Sequence, residues 1–143
     1  MREMWNQVAV IGMLTICAAE DIRKKQIRLN VVLAFGIAGI VFHMLWQMQT
    51  IENILLGMGV GGALLLIGLF TGGKIGAGDG VLMIVTGIYL GMEQNVELLV
   101  SSLFICTIYA LCLLVLRKKR RTDTVAFIPF VLVSYVCMLA GVI

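Results

Sequence analysis

Charged residues are so sparse in this chain that they separate long, uncharged and mostly apolar segments. Only 13% of the 143 residues are charged and 61% are hydrophobic, whereas a soluble domain has about 25% charged residues. A domain of this size leaves too much of its surface exposed for so many apolar side chains to be covered. The apolar side chains must therefore face lipid, which excludes a disordered chain, a soluble enzyme and a nucleic-acid-binding domain.

The charged residues divide the chain into six uncharged segments. These are residues 4–19, 29–51, 53–73, 80–92, 98–116 and 124–143. A helix that spans a bilayer needs about 20 predominantly apolar residues, and four of the segments approach or exceed this length. The first segment reaches it with its polar flanks, and the short fourth segment reaches it if Asp79 and Glu93 lie at opposite membrane surfaces. The sequence predicts an all-α, polytopic membrane protein with six transmembrane helices in a single domain over residues 1–143.

Basic residues mark one side of the membrane. Ten of the 11 Lys and Arg residues fall in the first, third and fifth predicted loops. These ten are Arg23, Lys24, Lys25, Arg28, Lys74, Arg117, Lys118, Lys119, Arg120 and Arg121. Because basic loops stay in the cytosol, we expect both termini outside. The basic cluster that follows the first segment also favours a retained helix over a cleaved signal peptide.

Two acidic residues stand out as candidates for chemistry, because acidic side chains at membrane depth are costly. Asp21 ends the first predicted helix and Asp79 begins the fourth, so the predicted topology places both at the cytosolic surface. Two converging carboxyl groups are the minimum for aspartic peptidase chemistry, in which one accepts a proton from water and the other polarises the scissile carbonyl. Adjacent helix positions point about 100° apart, so only one of Glu20 and Asp21 can face such a site.

Five glycines surround Asp79 in the stretch TGGKIGAGDGVL. They are Gly72, Gly73, Gly76, Gly78 and Gly80. Glycine disfavours a helix interior, so we expect a loop or a broken helix end here, in which Gly76 and Gly78 let a peptide approach the carboxylate. The stretch lacks the G-K-[ST] ending and the preceding strand of a phosphate-binding loop.

The cysteines and the histidine carry little functional signal. His43 has no acidic or cysteine neighbour in its apolar segment, which favours a packing or interfacial role, and no pair of histidines is available to bind zinc. The four cysteines lie in apolar runs without a C-x-x-C pair, as is typical of packing residues. They are Cys17, Cys106, Cys112 and Cys137.

The surroundings of the two aspartates resemble the type IV prepilin peptidases, a family of membrane-embedded aspartic peptidases with a GxGD signature. GAGD at residues 76–79 matches that signature. The stretch DIRKKQIRLN, which begins at Asp21, is similar to the family's D-x-R-x-x-x-I-P-N, with Arg23 and Ile27 in place. The final segment VAFIPFVLV, with Pro129, is also similar to the family's last helix.

The chain departs from the family pattern at two places. Arg28 and Leu29 precede Asn30, where the family usually has Pro directly followed by Asn, and Val81 stands where a lysine is usual. These departures concern substrate choice or loop geometry rather than the reaction.

The resemblance implies an aspartic endopeptidase of the prokaryotic inner membrane, with catalytic Asp21 and Asp79 and an active-site loop at Gly76 and Gly78. Its substrate would be a prepilin or pseudopilin, whose leader peptide is cut at the cytosolic membrane face. No metal and no organic cofactor are implied. The chain is similar to the small stand-alone forms that serve tight-adherence pili and lack the zinc-binding and methylating parts of larger members.

Two other classes of function stay open, namely a small proton-coupled transporter or channel and an inactive pilus-assembly scaffold. An acidic pair can relay protons, and the glycines of GMGVGG at residues 57–62 have the spacing of tightly packed membrane helices. However, neither aspartate lies at mid-membrane to complete a proton path, and the helix pattern shows no inverted repeat. A scaffold function would not explain why two aspartates lie at the same membrane surface.

Overall fold

The protein forms a bundle of α-helices. The computed structural model describes residues 1–24, 28–47, 49–73, 76–118 and 125–142. Within these ranges there are five helices and no β-strand, which confirms the all-α class. The helices are α1 (Arg2–Lys24), α2 (Leu29–Trp46), α3 (Ile51–Phe70), α4 (Ala77–Val115) and α5 (Ile128–Leu139). Of the residues singled out above, Lys25, Ile27, Lys74, Lys119, Arg120 and Arg121 lie outside the described residues.

Three helices, α2, α3 and α4, are long and apolar enough to cross a membrane. The ends of several helices differ from the sequence prediction. α1 continues beyond residue 19 to Lys24, and α2 ends at Trp46 rather than at residue 51, because Gln47 adopts a left-handed conformation with φ 46°. α5 is apolar but has only 12 residues, fewer than the predicted segment 124–143.

α4 folds back on itself at Gly91. This residue has φ 77° and ψ −175°, a combination that essentially only glycine adopts. A straight helix would separate Met83 and Asn95 by about 18 Å, yet Nδ2 of Asn95 donates a hydrogen bond to the carbonyl oxygen of Met83 at 2.9 Å. The two parts of α4 on either side of Gly91 therefore lie side by side.

This reversal corrects the predicted boundary between the fourth and fifth segments. The sequence predicted helices at 80–92 and 98–116 with a turn between them at the charged residues. In the structure, Glu93 and Glu97 are helical and the chain reverses before them. The prediction was wrong because a charged residue at a membrane surface is compatible with a helix, whereas the backbone conformation of Gly91 is not.

The side chain of Asn95 holds α3 and both parts of α4 together. Besides its bond to Met83, Nδ2 of Asn95 donates to the carbonyl oxygen of Gly57 in α3 at 3.0 Å. Oδ1 of Asn95 accepts a hydrogen bond from Oγ1 of Thr86 at 2.8 Å. Asn95 and Thr86 are fully buried. Because buried polar groups are costly without partners, these bonds fix the register of the three helical segments.

Glycines allow α3 to pack closely against the first part of α4. A Cβ atom at Gly61 would clash with the backbone of Met83 and Ile84, and one at Gly57 would lie 2.6 Å from the carbonyl oxygen of Gly87. The tight packing expected of the GMGVGG stretch is thus confirmed for the Gly57–Gly61 pair. It is wrong for Gly59 and Gly62, where a Cβ would meet no atom within 4 Å.

α1 and α5 pack against each other and complete the buried core. Their buried apolar side chains repeat at helical spacing, as on any helix with one buried face. They include Val10, Met13, Leu14, Cys17 and Ala18 on α1, and Ile128, Val131 and Tyr135 on α5. Large apolar side chains also cover the outside of the bundle, and Phe70 is 89% exposed. An outer surface of this kind suits contact with lipid rather than with water.

Candidate active site

Asp21 lies on the buried face of α1, near its C-terminal end. The residue is only 7% exposed. Its Oδ2 atom accepts a hydrogen bond at 3.2 Å from the backbone N–H of Ile128, the first residue of α5. The first N–H groups of a helix have no partner within the helix, so the carboxylate of Asp21 caps α5. The N-terminus of α5 thereby holds the Asp21 side chain in place.

Asp79 lies in the first turn of α4. Gly76 precedes the helix in an extended conformation, and the backbone N–H of Asp79 donates to the carbonyl oxygen of Gly76 at 3.1 Å. The partly buried side chain of Asp79 turns back over Gly76, where an added Cβ would lie 3.1 Å from Oδ2. The missing side chain at Gly76 therefore leaves room for the carboxylate.

The structure brings Asp21 and Asp79 to the same end of the bundle. Their carboxyl groups lie close enough for the charge of Asp21 to act on Asp79. Two interacting carboxyl groups resist simultaneous ionisation. Such a pair can offer one proton acceptor and one proton donor to the same substrate.

Glu20 is directed to a different partner. Its Oε1 atom lies 3.1 Å from Nε of Arg28, and its Oε2 accepts a hydrogen bond from the backbone N–H of Arg28 at 3.3 Å. Arg28 immediately precedes α2, so this ion pair links the end of α1 to the start of α2. Asp21 and Glu20 thus have separate partners, as expected for adjacent positions on a helix.

The described residues of the glycine-rich stretch lie at the end of α3 and at the start of α4. Gly72 and Gly73 have φ values of 69° and 82°, and they follow the last residues of α3. Gly76 caps α4, whereas Gly78 and Gly80 are already helical. Of the two predicted loop glycines, Gly76 therefore lies before the helix and Gly78 within its first turn.

Two cysteines lie within electrostatic range of the two carboxyl groups, which the sequence did not indicate. Cys17 is fully buried one helical turn before Asp21 and lies within electrostatic range of Asp21 and Glu20. Cys106, in the second part of α4, lies within range of Asp79. Their positions depend on the reversal at Gly91 and on the packing of α1, which spacing along the chain does not reveal.

His43 has the packing role favoured by the sequence. It is buried in α2 with its ring edge-on to Tyr89, and Nδ1 lies 2.8 Å from the carbonyl oxygen of Gly39. In the part of the chain that the structure describes, no three His, Cys, Asp or Glu side chains are grouped so that they could hold a metal ion.

The contact between Asp21 and Ile128 was also missed. Pro129, which is found at the start of α5, was the available signal, because proline is common in the first turn of a helix. It marks a helix N-terminus with free N–H groups. Which acidic side chain meets these groups depends on the packing of α1 against α5.

Comparison with known families identifies one family whose sequence pattern the chain matches. The sequence profile of the type IV leader peptidase family matches residues 8–111. This range is more than half of the chain and includes Asp21, Asp79 and the reversal at Gly91, whereas α5 follows it. No curated protein and no solved structure matches the chain. The chain therefore belongs to the type IV leader peptidase family, and this membership implies peptidase activity.

Proposed function

We propose that the protein is a membrane-embedded aspartic endopeptidase that removes the leader peptide of type IV prepilin-like substrates at the cytosolic membrane face. The observation that carries this proposal is that Asp21 and Asp79 lie within electrostatic range of each other in an apolar helical bundle. Acidic side chains in such surroundings are rare and generally functional. Family membership adds the class of reaction.

In the proposed reaction, the two carboxyl groups share one proton. The ionised carboxylate takes a proton from a water molecule, whose oxygen attacks the carbonyl carbon of the scissile peptide bond. The protonated carboxyl group donates a hydrogen bond to the carbonyl oxygen and stabilises the negative charge that develops there. At this stage the two carboxyl groups hold two protons. When the C–N bond breaks, one of these protons passes to the leaving nitrogen, and the pair returns to its original state with one proton.

Two backbone features assist this pair. The backbone N–H of Ile128 donates a hydrogen bond to Oδ2 of Asp21 and so restrains the orientation of that carboxyl group. Gly76 is exposed and lies directly beside the Asp79 carboxylate. A peptide backbone can therefore approach Asp79 over Gly76 without meeting a side chain.

The proposed topology has six transmembrane segments in the prokaryotic inner membrane, with both termini outside. The reversal of α4 at Gly91 supports it, because the two parts of α4 run in opposite directions. The basic loops then lie in the cytosol, on the side of Asp21 and Asp79. A membrane-impermeant thiol reagent is added to intact cells. It should label the new cysteine of the variant Gln94→Cys and should not label that of Thr71→Cys. The opposite labelling pattern would contradict this orientation.

The function is tested by co-expression with a candidate prepilin, which carries a short basic leader followed directly by an apolar helix. We expect the wild-type protein to shorten the prepilin, with mass spectrometry locating the cut just before the apolar helix. Asp21→Asn and Asp79→Asn should leave the prepilin intact. A prepilin that stays uncut although the wild-type protein is abundant in the membrane would contradict the proposed substrate class. Proton flux through protein-containing liposomes without any substrate would instead support a transporter.

A further inference from the structure

α2 and α3 pack against different faces of the first part of α4 and do not contact each other. A Cβ added at Gly36 of α2 would lie 3.2 Å from Cγ2 of Val85. One added at Gly61 of α3 would clash with the backbone of Ile84. No Cα atom of α2 lies within 8 Å of a Cα atom of α3, and the structure describes both helices throughout. The surface of α4 between the two helices is therefore not covered by either of them.

This uncovered surface is a strip of apolar residues along α4. At about 100° per residue, the directions in which α4 faces α2 and α3 differ by about 120°. Ala77, Val81 and Ile84 lie between these two directions. Of residues 80–91, all of which the structure describes, Val81 and Ile84 are the two that are not buried, and Ala77 is exposed. The exposure of the side chains thus agrees with the helical geometry.

The strip has apolar walls on both sides. Helical periodicity places two residues of each neighbouring helix beside it. They are Leu33 and Ile40 on α2, and Met58 and Leu65 on α3. The two residues of α2 are exposed and the two of α3 are partly buried. We call the strip and these walls the α2–α3 groove, and its surface suits an apolar occupant.

The α2–α3 groove has the width of one helix. Packed helices lie about 8–10 Å apart, so two helices that contact α4 in directions about 120° apart have axes about 14–17 Å apart. This distance is too large for α2 and α3 to contact each other. It leaves room for one further helix, which would contact α2, α3 and α4 at ordinary packing distances.

The groove begins at the end of α4 where Asp79 lies. Ala77 is two residues before Asp79, so the two side chains lie on nearly opposite sides of α4. A peptide that leaves the groove reaches Asp79 by crossing the N-terminus of α4 over Gly76 and Gly78, which have no side chains to obstruct it. About three extended residues span this width of about 10 Å. A peptide bond at Asp79 would therefore lie just before the segment that occupies the groove.

We propose that the α2–α3 groove binds the apolar helix of the prepilin-like substrate, which follows the cleavage site directly. This inference rests on the proposed peptidase function, since the occupant is the substrate of that reaction. The substrate helix runs in the same direction as α2, from the cytosolic surface into the membrane. Its first three turns contact the groove, and the leader crosses the start of α4 to Asp79.

Photo-crosslinking in membranes tests this placement. The full-length protein carries Asp79→Asn, which keeps the prepilin uncut, and benzoylphenylalanine replaces either Ile40 in the groove or Val41 as the matched control. The two residues are 44% and 49% exposed and lie at the same depth, but they point about 100° apart. We expect position 40 to crosslink the prepilin and position 41 to crosslink little or none. The crosslink should lie about 11 residues into the substrate helix, because Ile40 is 11 residues after the start of α2.

Cleavage kinetics provide a second measurement with both aspartates intact. Ile40→Trp narrows the groove and should raise KM at least about fivefold, as expected for an overpacked contact. Val41→Trp faces away from the groove and should leave KM unchanged. The value of kcat should stay near that of the wild type in both variants, because neither substitution alters Asp21 or Asp79.

The outcomes distinguish this inference from the proposed function. A wild-type protein that cuts no prepilin would contradict the proposed function, and with it the occupant of the groove. If the wild type cuts prepilin, equal crosslinking from positions 40 and 41 would overturn the groove alone. Crosslinks from position 40 to lipid or to a second copy of this protein, without any to prepilin, would also overturn it. The same holds for equal KM values of Ile40→Trp and Val41→Trp.

Discussion

The Oδ2 atom of Asp21 accepts a hydrogen bond from the backbone N–H of Ile128 at 3.2 Å, and this contact joins the end of α1 to the beginning of α5. Asp21 therefore has two separable properties. Its acidity is available to chemistry, and its oxygen atom caps a helix. Substitutions that remove one property and keep the other can distinguish them.

Asp21→Asn and Asp21→Ala should differ in stability. Asparagine keeps an oxygen that can accept the N–H of Ile128, so the free energy of unfolding should stay within about 0.5 kcal/mol of the wild type. Alanine leaves the N–H without its partner and should lower this free energy by about 1–2 kcal/mol, as at other helix caps. Thermal unfolding in detergent measures both. Equal stabilities of the two variants would show that the Ile128 contact contributes little.

Gly61→Ala should destabilise the protein although alanine favours helices. The new Cβ would overlap the backbone of Met83 and Ile84, so we expect a loss of about 1–3 kcal/mol, as in other overpacked cores. Gly59→Ala is the matched control, because its Cβ meets no atom within 4 Å. This control should be neutral or stabilised by about 0.5–1 kcal/mol. If the two variants unfolded at the same temperature, the close approach of α3 to α4 would be refuted.

The hydrogen bond between Thr86 and Asn95 should appear as an energetic coupling. We expect Thr86→Val and Asn95→Leu each to reduce stability, and the double variant to lose less than the sum of the two. The difference should be about 0.6–1.7 kcal/mol, the range of hydrogen bonds between membrane helices. It is measured from the unfolding free energies of the four proteins. Losses that add within about 0.3 kcal/mol would exclude the contact across the α4 reversal.

Gly76→Val should impair cleavage more than stability. The added side chain would press on Oδ2 of Asp79 and displace the carboxyl group. A displacement of about 1 Å can reduce a rate about a hundredfold, so kcat should fall while the melting temperature stays near that of the wild type. Gly62→Val, where a Cβ meets no atom within 4 Å, should retain activity. Full activity of Gly76→Val would show that Gly76 does not shape the site.

The sequence was sufficient to predict the helical class and to single out two aspartates that lie within electrostatic range of each other. Uncharged segments of membrane-spanning length predicted the bounds of α2 and α3 to within five residues. The reason is that charged residues are costly in lipid and are therefore found at helix ends. Alternation of the helices across a membrane predicted Asp21 and Asp79 at the same surface, and in the structure the charge of Asp21 acts on Asp79.

Other features could not be predicted because they depend on three-dimensional packing. Gly91 is one of 16 glycines, and nothing in its local sequence distinguishes the one that reverses α4. Likewise, a Cβ added at Gly57 or Gly61 would clash with α4, whereas one added at Gly59 or Gly62 would meet no atom within 4 Å. Which face of α3 meets α4 depends on the position of α4, which helical periodicity does not supply.

The most direct test of the aspartic peptidase mechanism is the cleavage rate of a purified prepilin by the reconstituted protein. We compare the wild type with Asp21→Asn, Asp79→Asn and Glu20→Gln, each confirmed as folded by thermal unfolding. Both aspartate variants should lose about 10²–10⁴-fold or more in rate, the usual contribution of an acid or base. Glu20→Gln should stay close to the wild type, since Glu20 pairs with Arg28. A folded aspartate variant that keeps more than about a tenth of the wild-type rate would contradict the mechanism.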